Sequence, residues 1–454
     1  MIYEIHIIQK LQNSVILPKQ FHSNAIQTIQ YGSSKEKCLC FFHEKETTTI
    51  YLSQDLAIKM HIQNGFKVKA FIHQQQLILG PLVGIFTAGF VKSLLRPIGN
   101  RSIFFSKLIE SGKSLGAIVF VFGSHQINWE NKTITGYTFN EQGWLKALFP
   151  FPNVIYNRLP NRKIENLHLI QHIKNRFIKE NHIPLFNPGF FNKWDVFEIL
   201  SKDKKTKDYL PESIYSPNKK EIMTLLNKHQ SVFLKPANGS LGLGVYKLIY
   251  LKDENALYCR YIDDKNKKRL IKYPSLETFF NYTFKHRSLE HYIAQQGIKL
   301  IQCNGNPIDF RVHVNKNQSG KWIVTAMAAK VAGKGSITTH IKNGGIIRTI
   351  SEIDKDLNKS TQLKKMIKKT VLTISEVLDA KMNGSIGEIG FDLGMDRSGK
   401  IWIFEANSKP GRSIFDHHAL QKEDRLTREY IFEYAEYLMK KALFFLKELH
   451  YEKV

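Results

Sequence analysis

The segment from Gly387 to Arg412, GEIGFDLGMDRSGKIWIFEANSKPGR, decides how the rest of the chain is interpreted. It contains two apolar runs, Ile389 to Leu393 and Lys400 to Ala406, joined by a polar turn at residues 396–399. A turn that ends in Arg-Ser-Gly between two β-prone runs is typical of a β-hairpin. The segment therefore predicts two antiparallel strands with polar residues near their ends.

The predicted hairpin brings Asp392 alongside Glu405 and Asn407. Three oxygen ligands would then converge on one point. Carboxylate and amide oxygens, together with phosphate oxygens from a substrate, are the ligands that Mg²⁺ prefers. The segment is therefore a candidate metal site. The alternative is an ordinary hairpin with polar ends, because motif matches also arise by chance.

Length and composition limit the classes of protein to consider. At 454 residues the chain is too long for one core, and its length predicts roughly two to four domains. The apolar fraction of 43% is typical of a soluble globular protein. The longest apolar run, near Leu79 to Val91, is too short for a membrane span, which needs about 20 residues. The N-terminus, MIYEIHIIQK, shows no signal peptide. Scattered cysteines predict reduced thiols in a cytoplasmic compartment; they are Cys38, Cys40, Cys259 and Cys303.

The net charge of +26, from 66 basic and 40 acidic residues, favours a polyanionic partner such as nucleic acid, an acidic polymer or a nucleotide. The lysines are spread along the chain and form no tail. The abundance of Ile, Lys, Asn and Phe, whose codons are A/T-rich, offers genome composition as a second cause. No helix-turn-helix, RNA-binding sheet signature or zinc finger is visible in the sequence. Nucleic acid is therefore not expected as the main partner.

Changes of pattern along the chain predict three regions. Residues 1–76 alternate short β-prone runs with polar turns, as in a small β-rich module. Residues 77–185 combine longer apolar runs with helical segments, as in a small α/β domain. Residues 186–454 carry most of the candidate ligand-binding side chains.

Within the α/β region, Leu115 to Phe122 predicts a central parallel strand and Phe151 to Pro160 a second strand. Between them, the stretch EQGWLKALF favours a short helix. Asn157, Arg158 and Asn161 lie at a strand end, where α/β sheets bind ligands. A solvated loop is nevertheless the favoured interpretation of these three residues.

The last region opens with a predicted helix that starts at Asn187-Pro188, with Asn187 as its cap and Lys193 on its surface. Further on, a strand from Ser231 to Leu234 ends at Lys235 and leads into a glycine-rich loop. Glycines let backbone N–H groups approach phosphate oxygens, and a lysine supplies a point charge. Alone, such a loop is a weak signal that more often marks a plain turn.

Later elements extend this region. Pro307 to Lys316 predicts a strand with Arg311 and His313 on one face. Trp322 to Val331 predicts its partner strand, and Gln362 to Leu378 predicts an amphipathic helix.

The order of these features is more specific than any one of them. A helix lysine, a strand lysine with a glycine loop, a linker, a DxR strand, an NGG loop and a D…ExN hairpin follow one another between residues 193 and 412. In this order the chain resembles the ATP-grasp superfamily, and more closely its spore-coat-associated YheC/YheD-type group. The segments that carry the resemblance are LGPLVGIF, VIYNRLPNR, YIAQQGI, DFRVHV and GEIGFDLG…IWIFEANSKPGR.

The resemblance implies an α/β (α+β) ATP-grasp fold. Residues 186–454 would form two α+β subdomains around a nucleotide cleft, preceded by the β-rich module and a pre-ATP-grasp α/β domain. The implied cofactors are ATP and Mg²⁺, with Mn²⁺ as a substitute. By this resemblance, Lys193 and Lys235 would contact the phosphates of ATP, and the loop with Gly239, Ser240, Gly242 and Gly244 would close over them. Adenine would bind at the linker near Gln295, Gln296 and Ile298, and Gln302 would lie near the ribose.

The resemblance also implies the residues of the reaction. The metal ligands would be Asp392, Glu405 and Asn407. Arg311 would face the γ-phosphate or an acyl phosphate. The remaining implied catalytic residues are Lys330, which would neutralise charge on the transferring group, and Arg412, which would hold the acceptor's carboxylate.

Most relatives of this kind join a carboxylate to an amine through an acyl phosphate. The expected substrates are therefore small-molecule or peptide carboxylates and amines. The expected location is cytoplasmic, with spore-coat proteins as partners. Three departures from the family pattern, Lys330 for Arg, His340 for Asn and Gln302 for Glu, leave the metal ligands untouched. Two alternatives stay open: a nucleotide-binding coat or scaffold protein without turnover, and a basic polyanion-binding protein.

Overall fold

The structure is a computed structural model of the chain. It describes residues 1–22, 24–237, 244–263, 265, 267–285, 287–333, 344–357 and 362–451; the side chains of residues 356–357 and 444–451 lie outside this description. These residues form four β-sheets with helices packed against them. Within those ranges, none of the helices combines the length and apolar character that a membrane crossing requires.

The first sheet contains eight strands in the order β4-β3-β8-β7-β1-β6-β2-β5. Side chains alternate across each strand, so Tyr3 and Ile5 of the first strand enter the core. The elements are β1 (Tyr3–Ile8), β2 (Ser14–Leu17), β3 (Thr28–Tyr31), β4 (Ser34–Lys37), β5 (Leu39–Phe42), β6 (Thr49–Ser53), helix α1 (Gln54–Met60), β7 (Lys67–His73) and β8 (Gln76–Gly80).

The second sheet follows directly and is mixed. Its elements are β9 (Leu82–Phe86), α2 (Ser102–Lys113), β10 (Ile118–Phe122), β11 (Ile127–Asn128), β12 (Thr133–Asn140), β13 (Gly143–Pro150), β14 (Val154–Asn157), α3 (Arg162–Glu165), α4 (His168–Asn175) and β15 (Leu185–Phe186). Strand β9 lies in the middle and runs parallel to both β10 and β14. All residues of β9 and β10 are buried, because both faces of the sheet are covered.

One prediction for this sheet is wrong. The stretch EQGWLKALF forms most of strand β13, which pairs in antiparallel register with β12 through the turn before Gly143. The predicted strands at 115–122 and 151–160 are confirmed as β10 and β14. The predicted boundaries at residues 76 and 185 stay predictions.

The third sheet has the order β16-β21-β17-β18-β19-β20. Its elements, with the helix that precedes them, are α5 (Lys193–Ser201), β16 (Ser213–Tyr215), α6 (Lys219–His229), β17 (Ser231–Pro236), β18 (Tyr246–Leu251), β19 (Ala256–Ile262), β20 (Lys268–Tyr273), α7 (Leu276–Tyr282) and β21 (Tyr292–Gln296). Helix α6 begins with a capping box in which Asn218 and Glu221 satisfy each other's backbone N–H groups.

The fourth sheet has the order β25-β24-β23-β26-β27, with β22 paired to β23. Its elements are β22 (Gln302–Cys303), β23 (Asn306–Lys316), β24 (Trp322–Val331), β25 (Ile346–Thr349), α8 (Ile350–Leu357), α9 (Gln362–Lys381), β26 (Glu388–Met395), β27 (Ile401–Asn407) and α10 (Gln421–Tyr451). The hairpin predicted at 389–406 is confirmed as β26 and β27, and α9 confirms the predicted amphipathic helix.

Helix α10 joins two parts of the molecule. Its residues Ile431, Phe432, Ala435 and Leu438 belong to the same buried cluster as the side chains of β9, β10 and α2. The helix also contacts β23 and β24 of the fourth sheet. The second and fourth sheets therefore share a helix and face each other across it.

Candidate functional site

Strand β23 places the predicted arginine at the centre of the fourth sheet. Arg311 lies opposite Asp392 of β26, and Asp309 lies opposite Lys330 of β24. Directly opposed residues, and residues two apart on a strand, share a face of the sheet. The four side chains therefore meet on one face, as the predicted orientation of Arg311 requires.

These side chains form a compact ion network. Arg311 Nη1 lies 2.8 Å from Asp392 Oδ2, and Lys330 Nζ lies 2.8 Å from Asp392 Oδ1. Lys330 Nζ also lies 3.1 Å from Asp309 Oδ1. Burial lowers the pKa of Lys330, but the two carboxylates outweigh that effect and leave the pKa above its usual value. Lys330 is therefore a permanent cation beside Arg311.

The hairpin places the predicted metal ligands together. Glu405 lies opposite Asp392, and a bulge follows Asp392 in the register. Asn407 lies opposite Gly390 and shares the face of Glu405, because it is two residues further along β27. Lys193, the first residue of α5, extends its Nζ to within 3.6 Å of Glu405 Oε2.

The second predicted phosphate lysine reaches the same place from the third sheet. Lys235 Nζ donates a hydrogen bond to Gln295 Oε1 at 2.7 Å and lies 3.5 Å from the carbonyl oxygen of Phe404. Burial, reinforced by the positive charge of Lys193, lowers the pKa of Lys235 to about 7. Near neutral pH, Lys235 is therefore divided between its charged and neutral forms.

An open cleft lies between the third and fourth sheets at this point. It contains about 440 Å³ of space between protein atoms, part of it open to solvent. Its polar lining is Lys193, Ser213, Lys235, Gln295 and Glu405. Its apolar lining comes from α5, the connection after it and the two sheets: Trp194, Val196, Phe197, Leu200, Leu210, Ile293, Ile403, Phe404 and Ala406. A ligand with an apolar body and an anionic end matches this lining.

The donor set fits a hard divalent cation. Asp392 and Glu405 supply carboxylates and Asn407 an amide oxygen, which are ligands of Mg²⁺. Across the described part of the chain, no group of three or more His, Cys, Asp or Glu side chains is gathered for a metal. Asn407 and ligand oxygens would therefore have to complete the set. Both carboxylates carry cationic partners, which phosphate oxygens would take over.

The remaining residues predicted to bind the nucleotide lie in β21, in the connection that follows it, on β22 or outside the described residues. Gln295 and Gln296 are inside β21, where Gln296 N donates to the Glu212 carbonyl at 2.8 Å, so the sheet already holds their backbone. Ile298 lies in the connection between the two sheets, and Gln302 is exposed on β22. Of the predicted glycine loop, only Gly244 is described; Gly239, Ser240 and Gly242 lie outside the described residues, as does His340.

The structure separates Arg412 from the other predicted catalytic residues. Its guanidinium pairs with Asp424 of α10, with Nη2 to Oδ1 at 2.6 Å, and also donates to Thr427. The predicted contact with an acceptor's carboxylate therefore competes with a carboxylate of the chain. No sequence signal marked Asp424 as a partner, because it belongs to a separate helix.

Asn187 has a different role from the predicted helix cap. Helix α5 begins at Lys193, and its cap is Asn192, whose side chain accepts a hydrogen bond from Trp194 N. Asn187 is fully buried, and its Oδ1 accepts from Gly387 N at 2.8 Å and from Glu388 N at 3.3 Å. Its Nδ2 donates to the carbonyl oxygens of Glu388 and Ser408. Asn187 therefore holds both ends of the β26–β27 hairpin, which we call the metal hairpin because it carries the predicted metal ligands.

We expect Asn187→Ala to lower the free energy of unfolding by about 2–4 kcal/mol, because it leaves buried backbone groups without partners. Urea denaturation of the full chain measures this. The matched control is Asn192→Ala, which removes only a helix cap and should cost about 1 kcal/mol. Equal losses in the two variants would contradict the role of Asn187 in holding the hairpin.

The interpretation of Arg158 as part of a solvated loop is wrong. Arg158 Nη1 pairs with Glu388 Oε1 at 3.1 Å, and Tyr156 donates its hydroxyl to the same carboxylate. Asn157 is fully buried and donates to Glu165 at 2.6 Å. Because Glu388 is 230 positions away in sequence, no local pattern indicated the pair.

The chain is similar in sequence to a known family and to two named proteins. Residues 182–438 match the family model described as YheC/D like ATP-grasp. The chain is 43% identical over 439 residues to the Endospore coat-associated protein YheD of Bacillus subtilis (strain 168), covering 97% of this chain and 96% of that protein. It is 26% identical over 289 residues to the Endospore coat-associated protein YheC of the same organism, covering 63% and 78%. A solved structure of the ATP-grasp ligase PsnB with a minimal precursor aligns at 12% identity and a TM-score of 0.46, covering 77% and 98%.

Proposed function

We propose that this chain, which belongs to the YheC/D-like ATP-grasp family, is an ATP-dependent ligase joining a carboxylate to an amine. The observation that carries the proposal is the convergence of Arg311, Lys330 and Asp392 with Glu405 at one end of the cleft. Two further lysines, Lys193 from α5 and Lys235 from the third sheet, also line this cleft. Such a set can bind a triphosphate and stabilise charge that shifts during phosphoryl transfer.

In the proposed reaction, a carboxylate oxygen of the acid attacks the γ-phosphorus of ATP, and the bond to the bridging oxygen of ADP breaks. The nitrogen of an amine then attacks the acyl carbon, phosphate leaves, and the nitrogen loses a proton. Arg311 and Lys330 would neutralise charge on the transferring phosphoryl group. Lys193 and Lys235 would position the other phosphates, so that catalysis is chiefly positioning plus charge neutralisation.

Asp392, Glu405 and Asn407 would hold Mg²⁺, or Mn²⁺ in its place. The ion would supply charge neutralisation at the phosphate oxygens. The apolar lining of the cleft supports binding of adenine there, with Ile298 in the adjoining connection. The roles of Gln295, Gln296 and Gln302 beside adenine and ribose stay proposals.

The pKa of Lys235 leads to a prediction about protons. We expect ATP binding above pH 7 to take up close to one proton, because Lys235 is largely neutral there in the free chain and phosphate favours its charged form. Affinity for ATP should accordingly fall by up to about tenfold per pH unit above neutrality. Calorimetry in buffers of different ionisation enthalpy measures the proton uptake directly.

The control ligand for this experiment is adenosine, which has no phosphate and should bind without proton uptake. Lys235→Ala should remove the uptake, and both Lys235→Ala and Lys193→Ala should weaken ATP more than adenosine. If the affinities for ATP and adenosine fell equally in either variant, the substituted lysine would not contact the phosphates.

A nucleotide-binding coat or scaffold protein without turnover is the second candidate. The observation that favours it is the similarity to two relatives named as endospore coat-associated. In that case coat proteins would be the partners, and the location would be the coat rather than the cytoplasm. ADP release from Mg²⁺-ATP that depends on an added acid and amine pool separates the two candidates. Tight ATP binding without ADP release from any pool would favour the scaffold.

The basic polyanion-binding protein is the weakest candidate, and nucleic acid is not proposed as a partner. The net charge of +26 is its support. Salt-sensitive binding to DNA that is indifferent to nucleotide would favour it over both other candidates.

A further inference from the structure

The second sheet has a topological switch point that the proposed ATP site leaves unused. Strand β10 lies on one side of β9 and β14 on the other, and all three run parallel. From β9 the chain crosses to β10 on one side, and the later strand β14 pairs with the other side of β9. The strand order therefore reverses between β9 and β14, which makes this position a switch point. Open α/β sheets bind ligands beyond the carboxyl ends of the strands at such a point. Here the residues at that position are Thr87, after β9, and Arg158, after β14.

Arg101, just before α2, spans this switch point. Its Nη1 donates to Thr87 Oγ1 at 2.9 Å, and its Nη2 donates to the Arg158 carbonyl at 2.6 Å. Among the described residues, no carboxylate lies within ion-pair distance of the Arg101 guanidinium. Burial, reinforced by the charge of Arg158, lowers the pKa of Arg101 to about 10. The side chain is therefore a half-buried cation without an acidic partner of its own.

The neighbouring arginines add to this excess of positive charge. Arg158 pairs with Glu388, whereas Arg412 and Arg428 share the single carboxylate of Asp424. The ring of Phe104 lies 5.1 Å from the Arg158 guanidinium and 6.0 Å from that of Arg412. These three arginines share two carboxylates, Glu388 and Asp424, and Arg101 adds a fourth guanidinium group without a carboxylate of its own among the described residues. We call Arg101, Arg158 and Arg412 the arginine cluster.

The arginine cluster adjoins the ion network of the fourth sheet. Glu388, the partner of Arg158, lies on the same face of β26 as Asp392, four positions away. At the rise of a strand this is a separation of about 13 Å. His313 is fully buried between the two groups, and burial, with Arg311 and Arg412 nearby, keeps its pKa well below the usual value. A neutral residue therefore separates the arginine cluster from the proposed phosphoryl-transfer site.

We propose that the arginine cluster binds a second acidic group of the acid substrate, so that the substrate is an extended dicarboxylate rather than a simple monocarboxylic acid. The inference rests on the proposed function for the first acidic group, the one that would react beside Arg311. Arg101 would contact the second carboxylate, because a guanidinium matches a planar carboxylate in shape and charge. Arg158 and Arg412 are positioning residues, since each already pairs with an acid of the chain.

The test uses the full chain without nucleotide and titrates dicarboxylates of increasing length, from succinate to dodecanedioate, by calorimetry. Pentanoate serves as the monocarboxylate matched to glutarate, and inorganic phosphate is a separate probe. We expect at least one dicarboxylate to bind more tightly than every monocarboxylate tested. Arg101→Gln should weaken that binding about tenfold to a hundredfold, whereas Arg397→Gln, at an exposed turn, should leave it unchanged.

Affinity for Mg²⁺-ATP is measured on the same variants. If dicarboxylate binding depends on Arg101 but ATP does not bind, the inference about the arginine cluster is supported and only the proposed ligase function is rejected. Equal binding of dicarboxylates and monocarboxylates would overturn the inference, as would an Arg101→Gln variant with unchanged dicarboxylate affinity. A stronger response to inorganic phosphate than to any dicarboxylate would also reject it, because the cluster would then select a phosphoryl group.

Discussion

Arg311→Ala should abolish the formation of an acyl phosphate while leaving ATP affinity within a few-fold of the unaltered chain. Arg311 is centred in the fourth sheet and is 2.8 Å from Asp392, so it is fixed in place before any ligand arrives. A preorganised cation beside a transferring phosphoryl group contributes most in the transition state. Its removal should therefore lower the rate of acyl phosphate formation by about a hundredfold or more and change the affinity for ATP little.

The measurement is hydroxylamine trapping of the product formed from an acid pool, ATP and Mg²⁺, with separate quantification of ADP and AMP. Arg397→Ala is the matched control, because Arg397 is exposed in the turn of the metal hairpin. It should trap acyl phosphate as efficiently as the unaltered chain. AMP and pyrophosphate as products would refute the mechanism, and trapping that survives Arg311→Ala would remove Arg311 from it.

Glu405→Gln should weaken Mg²⁺-dependent ATP binding by about tenfold or more, because it removes a charged metal ligand. Among the residues that the structure describes, its ion-pair partner is Lys193 at 3.6 Å, and 27% of its side chain is exposed. The fold should therefore persist, and calorimetry with and without Mg²⁺ isolates the effect on the metal. Mg²⁺-ATP affinity that is unchanged in this variant would remove Glu405 from the metal site.

Asp392→Asn should weaken the same binding and also destabilise the fold. Asp392 neutralises Arg311 and Lys330, whose side chains are only 14% and 11% exposed. Removing one partner of a buried ion network lowers the free energy of unfolding by about 3 kcal/mol. Lys330 would keep its ion pair with Asp309 in this variant. Urea denaturation should show this loss for Asp392→Asn and not for Glu405→Gln. Comparable stability of the two variants would contradict the interpretation of Asp392 as the centre of the network.

Local sequence patterns were sufficient for the parts of the site that lie within one or two neighbouring strands. The hairpin, the face shared by Arg311 and His313, and the pairing of β23 with β24 were all predicted and are confirmed. The predicted ATP-grasp fold is confirmed by the family to which the chain belongs. These features depend on turn chemistry and alternation, which a short window of sequence contains.

Two of the failures share a physical cause, because the deciding partner is distant in sequence. The local sequence predicts Asn187 as a helix cap, although its partners lie 200 positions or more away on the metal hairpin. Arg158 was assigned to solvent, although Glu388 makes it part of a buried network. The stretch that forms β13 has hydrophobic residues compatible with a helix, and its pairing with β12 decides the outcome.

Helix α10 has a consequence for how the chain folds as it is made. Ser111 of α2 receives a hydrogen bond from Arg428, and 317 positions separate the two residues. Translation at about 5–20 residues per second places their synthesis roughly 15–60 s apart. During that interval the face of the second sheet that α10 covers, with Phe105, Leu108 and Val119, has been synthesised but lacks its final cover. A nascent chain stalled before α10 should therefore depend on holding chaperones far more than the finished protein does.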